Sequence, residues 1–139
     1  MIKATIDLNV ILDFLNKRKH HMEAAKILEL CTEGKIKGYV CAHEITTLAY
    51  FLMKNYNDTK KVKYVLHELL DLFSTISVTE SILKKSLNSK IKDYEDAVIE
   101  MSSLKNKIDY IITRNLDDFK HSGVKAISPE EFLVLYNSH

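Results

Sequence analysis

Tyr110-Ile111-Ile112-Thr113-Arg114-Asn115-Leu116-Asp117-Asp118-Phe119 is the stretch whose reading decides the fold. Its first four residues are aromatic or β-branched and form the clearest strand signal in the chain. The strand runs straight into several polar groups. In open α/β sheets ligands bind outside the carboxyl ends of the strands, so polar residues there call for an explanation. An acidic loop with an Asx turn at Asn115 would account for them without any ligand.

Outward from this stretch, strand and helix signals alternate. Lys3–Asp7 is short and apolar, then Val10, Ile11, Phe14 and Leu15 recur at helical spacing. A helix over Glu23–Glu33, closed by Gly34, leads to a strand at Gly38–Cys41. Helices over Glu44–Asn55 and Lys60–Phe73 precede a strand at Thr75–Val78, and Thr79 or Ser81 caps the helix that follows. A helix over Asp93–Lys105 leads into Tyr110–Thr113, and a strand at Val124–Ile127 precedes a terminal helix with Pro129 at its first position. Short β-branched strands between longer helices predict an α/β fold, a mainly parallel sheet covered by helices on both faces.

With 139 residues, one proline and three glycines, the chain has no linker, low-complexity tract or repeat, and it reads as one domain over 1–139. Hydrophobic residues make up 46% and charged residues 28%, an ordinary globular balance. No segment is apolar enough to span a bilayer and no signal peptide opens the chain, so a cytoplasmic location is expected. Cys31 and Cys41 fit buried thiols in a reducing compartment. The net charge of +1, from 20 basic and 19 acidic residues, excludes a protein that holds nucleic acid by bulk positive charge. It leaves room for an enzyme that meets nucleic acid at one site where cations supply the missing charge.

Three acidic clusters share the predicted strand ends. Asp7 follows the first strand, with Asn9 two residues on; it either caps the next helix or pairs with a cation. Asp93, Asp96 and Glu100 fall on one helical face, where first-turn acids also simply complement the helix dipole. Asp118 belongs to the third cluster. Together they would converge on one rim of one sheet. Unpaired carboxylates so placed repel one another and raise each other's pKa. A divalent cation removes that penalty, and oxygen-only ligands favour Mg²⁺ or Mn²⁺ over zinc. Such an ion polarises phosphoryl oxygens and suits phosphodiester cleavage.

These motifs resemble those of the PIN-domain family over essentially the whole chain. Ile6-Asp7-Leu8-Asn9-Val10-Ile11-Leu12-Asp13 resembles its first acidic motif, and Asp93-Tyr94-Glu95-Asp96-Ala97 its Asp-Phe-Glu-Asp-Ala helix start. Thr113-Arg114-Asn115, with Asp118-Phe119 following, resembles its Thr-Arg-Asn-x-x-Asp-Phe turn, and Ile127–Leu133 its terminal segment. The resemblance implies a three-layer α/β/α fold and an Mg²⁺- or Mn²⁺-dependent endoribonuclease. It also implies the toxin of a toxin–antitoxin pair (VapC-type), a homodimer neutralised by a small antitoxin. Asp7, Asp96 and Asp118 are then the metal-side carboxylates. Asn115 stands where relatives often carry Asp, and Thr113 orients a ligand or water.

One departure bears on activity. Many active relatives place a Glu where this chain has Thr47. Glu44, one turn earlier, either replaces that acid at the metal or is a first-turn carboxylate favoured by the dipole. Asn9 and Arg114, one of two arginines, are expected at the substrate phosphate. His20-His21 reads as a solvated turn, and His43 as a capping or packing residue with a possible phosphate contact. Lys54, Lys60, Lys61 and Lys63 read as a solvated face that would attract RNA backbone locally. Tyr50, Phe51, Tyr56 and Tyr64 read as core or dimer interface. A PIN-like module that binds RNA or a partner without cutting is the main alternative. A phosphatase with Asp7 as covalent nucleophile ranks below both, because Asn9 stands where such enzymes want an acid.

Overall fold

The fold is taken from a computed structural model that describes residues 1–138; residue 139, the end of the predicted domain, lies outside the described residues. Strands β1 (Lys3–Ile6), β2 (Lys37–Cys41), β3 (Ser74–Ile76), β4 (Tyr110–Ile112) and β5 (Lys125–Ile127) form a sheet in the order β3-β2-β1-β4-β5. All four neighbouring pairs are parallel. Parallel neighbours cannot be joined by a tight turn, so helices carry the crossovers. Helices α1 (Leu8–Leu15) and α2 (His21–Thr32) connect β1 to β2, and α3 (Ala42–Tyr56) and α4 (Thr59–Leu72) connect β2 to β3. Helices α5 (Glu80–Ser86) and α6 (Tyr94–Lys105) connect β3 to β4, a single 3₁₀ turn (Leu116–Phe119) leads to β5, and α7 (Pro129–Asn137) follows.

Each strand alternates between two cores, as its pleat requires. Ala4, Ile6, Val40, Ile112 and Ile127 pack with residues of α1, α2, α3, α4 and α7. Tyr39, Cys41, Ile76 and Ile111 pack with Ala97 and Ile99 of α6 and with Phe119 of the 3₁₀ turn. The result is the expected three-layer sandwich. Thr5 faces the α6 side, where its hydroxyl meets that of Ser103 at 2.9 Å, which satisfies both buried groups. Gly38 lets β2 approach α2, since a Cβ there would lie 2.7 Å from Cys31 Sγ and 2.9 Å from Phe73 Cδ1.

The caps follow local chemistry. Thr79, not Ser81, caps α5 by accepting the Ile82 N–H at 3.2 Å, and Ser128 caps α7 by accepting that of Glu131 at 3.1 Å. β3 ends at Ile76 rather than Val78, because its partner β2 turns into α3 immediately after the Cys41–Ile76 pair. Both cysteines are free, and burial pushes each thiol up to about 12. Among the described residues no helix is long and apolar enough to cross a membrane. Tyr50 and Tyr64 are 59% and 65% exposed, so they are surface residues, while Tyr56 packs against the core.

Candidate active site

β1 and β4 are neighbours, yet the chain leaves β1 toward β2 on the other side. The strand order therefore reverses between β1 and β4, and the crevice at their carboxyl ends is the expected ligand site. Asp7 stands there, its N–H donating to the Ile112 carbonyl at 3.0 Å. It occupies the N-cap position of α1 but makes no side-chain capping bond. Its Oδ2 instead accepts from Thr113 Oγ1 at 2.6 Å and from Asn9 Nδ2 at 3.3 Å. Asn9 Oδ1 also accepts the Arg114 N–H at 3.4 Å, which ties the two strand ends together. Capping of α1 falls to Glu44, whose Oε1 accepts the Leu8 N–H at 3.0 Å from the first turn of α3. Thr47 faces away, its hydroxyl donating to the His43 carbonyl at 3.3 Å in its own helix.

Asp7 and Glu44 are only 6% and 5% exposed, and they are held against each other. Burial pushes Asp7 up, opposed by hydrogen bonds from Thr113, Glu44 and the Leu8 N–H. Glu44 is pushed up to about 10, first by burial, then by the Asp7 charge and by hydrogen bonds with Glu95 and Asp7 that its protonated form alone can donate. Burial and mutual repulsion thus lead the pair to retain a proton between its two carboxyls. Asp96 is pushed up to about 7, first by burial and then by the charges of Asp7, Asp93, Asp118 and Glu95. Asp118 is exposed on the 3₁₀ turn, which Asn115 closes by donating its N–H to Thr113 Oγ1 at 3.1 Å and accepting that of Asp118 at 3.1 Å.

This donor set is all oxygen, carries excess negative charge and has lost much of its hydration. Those properties suit a hard divalent cation. Among the described residues no three His, Cys, Asp or Glu side chains are drawn in around one point. Asp7 and Glu44 are in contact, whereas Asp96 is coupled to the site by charge, feeling Asp7 on one side and Asp118 on the other.

A sequence model of the PIN domain matches residues 3–117. The chain belongs to the PIN domain family. No curated protein matches it in sequence, but solved PIN structures share its fold. A toxin–antitoxin complex from Klebsiella pneumoniae is 22% identical with a TM-score of 0.67, over 91% of this chain and 97% of that one. VapBC2 from Rickettsia felis, bound to a DNA fragment from its promoter, is 17% identical with a TM-score of 0.70, over 92% and 98%. VapC20 from Mycobacterium tuberculosis, described as a sarcin–ricin loop cleaving toxin, is 12% identical with a TM-score of 0.66, over 88% and 98%.

Within this PIN domain the predicted residues divide. Asp7, Asn9, Thr113 and Glu44 form one bonded unit; Asp96 and Asp118 border it; the Asn115 side chain is exposed and its backbone does the work. Arg114 departs from expectation. Its Nε and Nη2 both bond Asp13, which is 1% exposed on α1, so the guanidinium neutralises a buried acid rather than standing free for phosphate. Asp93 caps α6 through the Asp96 N–H at 3.0 Å, as the dipole reading allowed. Glu100 points away and binds Ser89 and Gly123. His43 docks on the Glu95 carbonyl at 3.1 Å, a packing role. Glu95 is the acid that face-counting missed. At the first turn of a helix adjacent residues fan over the N-terminal rim, so Glu95 and Asp96 both reach the crevice.

Proposed function

We propose that this chain, as one PIN nuclease domain, is an Mg²⁺- or Mn²⁺-dependent endoribonuclease and the toxin of a toxin–antitoxin pair. The observation that carries the reading is the buried Asp7–Glu44 pair at the switch point, with Asp96 and Asp118 at its mouth. Asp7, Glu44, Asp96 and Asp118 would hold the ion, which would polarise the scissile phosphate and lower the pKa of nearby water. Thr113 and Asn9 keep Asp7 oriented. Asn9, at the mouth of the crevice, would contact the substrate phosphate. Glu44, once it gives up its proton, supplies the acid that Thr47 does not. The solved complexes above support an antitoxin partner, and the exposed Tyr50, Phe51 and Met53 of α3 support a homodimer. A cytoplasmic location follows from that role.

Cleavage of a labelled RNA with Mg²⁺ or Mn²⁺ by wild type and Asp96→Asn tests the proposal. Equal cutting by the variant, or cutting that survives EDTA, overturns the site assignment. The second reading, a module that binds without cutting, is favoured by the exposed amide of Asn115 and by ligands not drawn in around one point. Absence of Mn²⁺ binding by calorimetry, with retained RNA binding, would select it.

A further inference from the structure

Asp118 is exposed, so its distance from the other carboxylates is set by the backbone that carries it. That backbone is the stretch from Thr113 to Val124 between β4 and β5, whose one regular element is the 3₁₀ turn. Hydrogen bonds in such turns have poorer geometry than those of an α-helix. Three anchors fix the stretch. Thr113 Oγ1 accepts the Asn115 N–H at its start, and the Phe119 ring is buried in its middle. At its end the Gly123 N–H donates to Glu100 Oε2 at 2.7 Å. This last anchor is an acid outside the crevice.

Glu100 is 4% exposed on α6, and its Oε1 accepts Ser89 Oγ–H at 2.6 Å; Ser89 Oγ in turn accepts the Ile91 N–H at 3.0 Å. One buried carboxylate therefore fastens both the loop before α6 and the stretch that carries Asp118. A packed apolar residue would fill this place with no carboxylate to desolvate. What Glu100 supplies, and an apolar residue could not, is a fixed acceptor for both segments. Asp96 lies four residues earlier on the same helix, so the two acids share one face about 6 Å apart along its axis. Helix α6 is itself pinned to β1, by the Thr5–Ser103 hydroxyl bond and by Lys3 Nζ donating to the Asn106 carbonyl at 2.7 Å, and β1 leads directly into Asp7. One helix thus measures Asp96 against Asp7 on one side and against the Asp118 turn on the other.

We infer that Glu100 is a positioning residue for the proposed nuclease: by latching Gly123 it holds Asp118 within reach of a cation bound beside Asp96. The inference rests on the nuclease reading above. Losing the latch frees the tail of the stretch and leaves Asp7, Glu44 and Asp96 where they are, so the loss falls on cation affinity. Groups that orient metal ligands from outside the ligand set are worth about 10–100-fold in affinity. Glu100 acts through five residues of backbone, from Gly123 back to Asp118, so the lower end of that range applies.

The test uses the full-length protein. Calorimetry should show Glu100→Ala binding Mn²⁺ about tenfold more weakly than wild type. In RNA cleavage the half-saturating Mg²⁺ should rise by a similar factor, while the rate at saturating Mg²⁺ stays within about twofold. In EDTA, hydrogen exchange at the Asp118 amide should quicken. Glu100→Gln should restore all three, because its amide oxygen can accept the Gly123 N–H while its NH₂ donates to Ser89 Oγ. If Glu100→Ala does not fold, Glu100→Leu fills the space and lacks only the acceptor, and the same shifts are expected of it. Gly38→Ala, which strains the fold at the amino end of β2, should leave Mn²⁺ affinity unchanged and so separates positioning from loss of stability. Equal Mn²⁺ affinity and equal exchange in wild type and Glu100→Ala, or a loss in Glu100→Gln as large as in Glu100→Ala, overturns the positioning role. A wild type that neither binds Mn²⁺ nor cuts RNA overturns the nuclease reading instead, and the exchange rates in EDTA then still decide whether Glu100 holds the Asp118 turn.

Discussion

Replacing Glu44 with Gln should stabilise the metal-free protein, although the residue is buried at the centre of the proposed site. Glu44 has an ordinary value of 4.5 and is pushed up to about 10 in the fold. The unfolded chain is ionised above 4.5, whereas the folded chain keeps the proton. Its favourable contribution is therefore complete below pH 4.5 and is lost progressively as pH rises toward 10. At pH 7.5 the loss spans about 3 pH units, or about 4 kcal/mol at about 1.4 kcal/mol per unit. That figure requires only that the folded value exceed the assay pH. Gln does not titrate, its Oε1 can still accept the Leu8 N–H, and its amide can donate to Asp7 or Glu95 as the protonated acid does. Some of the relief is shared with Asp7 and Asp96, so a gain of about 2 kcal/mol is expected, or roughly 6–8 °C in Tm for a chain of this size. Urea unfolding followed by circular dichroism in EDTA, from pH 5 to 8, measures it. Wild type should weaken as pH rises and the variant should weaken less. With saturating Mg²⁺ the order should reverse, because wild type, with the additional carboxylate, gains more binding energy from the ion than the variant does. A variant no more stable than wild type at pH 7.5, with the same pH dependence, refutes the reasoning.

Two further outcomes rest on packing and pairing. Arg114→Ala leaves Asp13 as a buried carboxylate with only Arg18, at 3.9 Å, as a distant partner; a loss of about 3 kcal/mol is expected in thermal or urea unfolding, and no loss would mean the pair is not structural. Gly38→Ala places a methyl against Cys31 Sγ and Phe73, so a loss of about 1–3 kcal/mol is expected, and replacing Cys31 by Ala in the same chain should recover part of it.

The fold was legible because each strand is a short apolar run bounded by a helix signal, and no proline or glycine cluster blurs the boundaries. Parallel pairing follows from the helices between strands, and the carboxyl-end rule for such sheets points to Asp7 and Thr113. Side-chain commitments were not legible. Arg114 looks free in one dimension because Asp13 is a hundred residues away in sequence and meets it only through the β1–β4 pairing. Glu95 was hidden by periodicity, a rule for helix interiors that fails at a first turn, where side chains spread over the end.

Glu44 shows why a displaced acid is tolerated. The first N–H groups of a helix have no partner from a preceding turn, and a carboxylate is favoured there. Asp7, the residue in the capping position, is drawn to Thr113 instead, which leaves the Leu8 N–H for Glu44 from across the crevice. An acid one turn earlier on α3 than the usual position thus finds both a backbone donor and a route to Asp7. The arrangement holds Glu44 in place at the expense of its ionisation, because the same burial keeps the proton on it. Loading a cation at this site must therefore release that proton. Calorimetric titration of Mn²⁺ in buffers of different ionisation enthalpy should report about one proton more released by wild type than by Glu44→Gln at pH 7, since Asp96, pushed up to about 7, releases part of a proton in both. Equal release from both proteins would place the proton elsewhere and remove Glu44 from the ligand set.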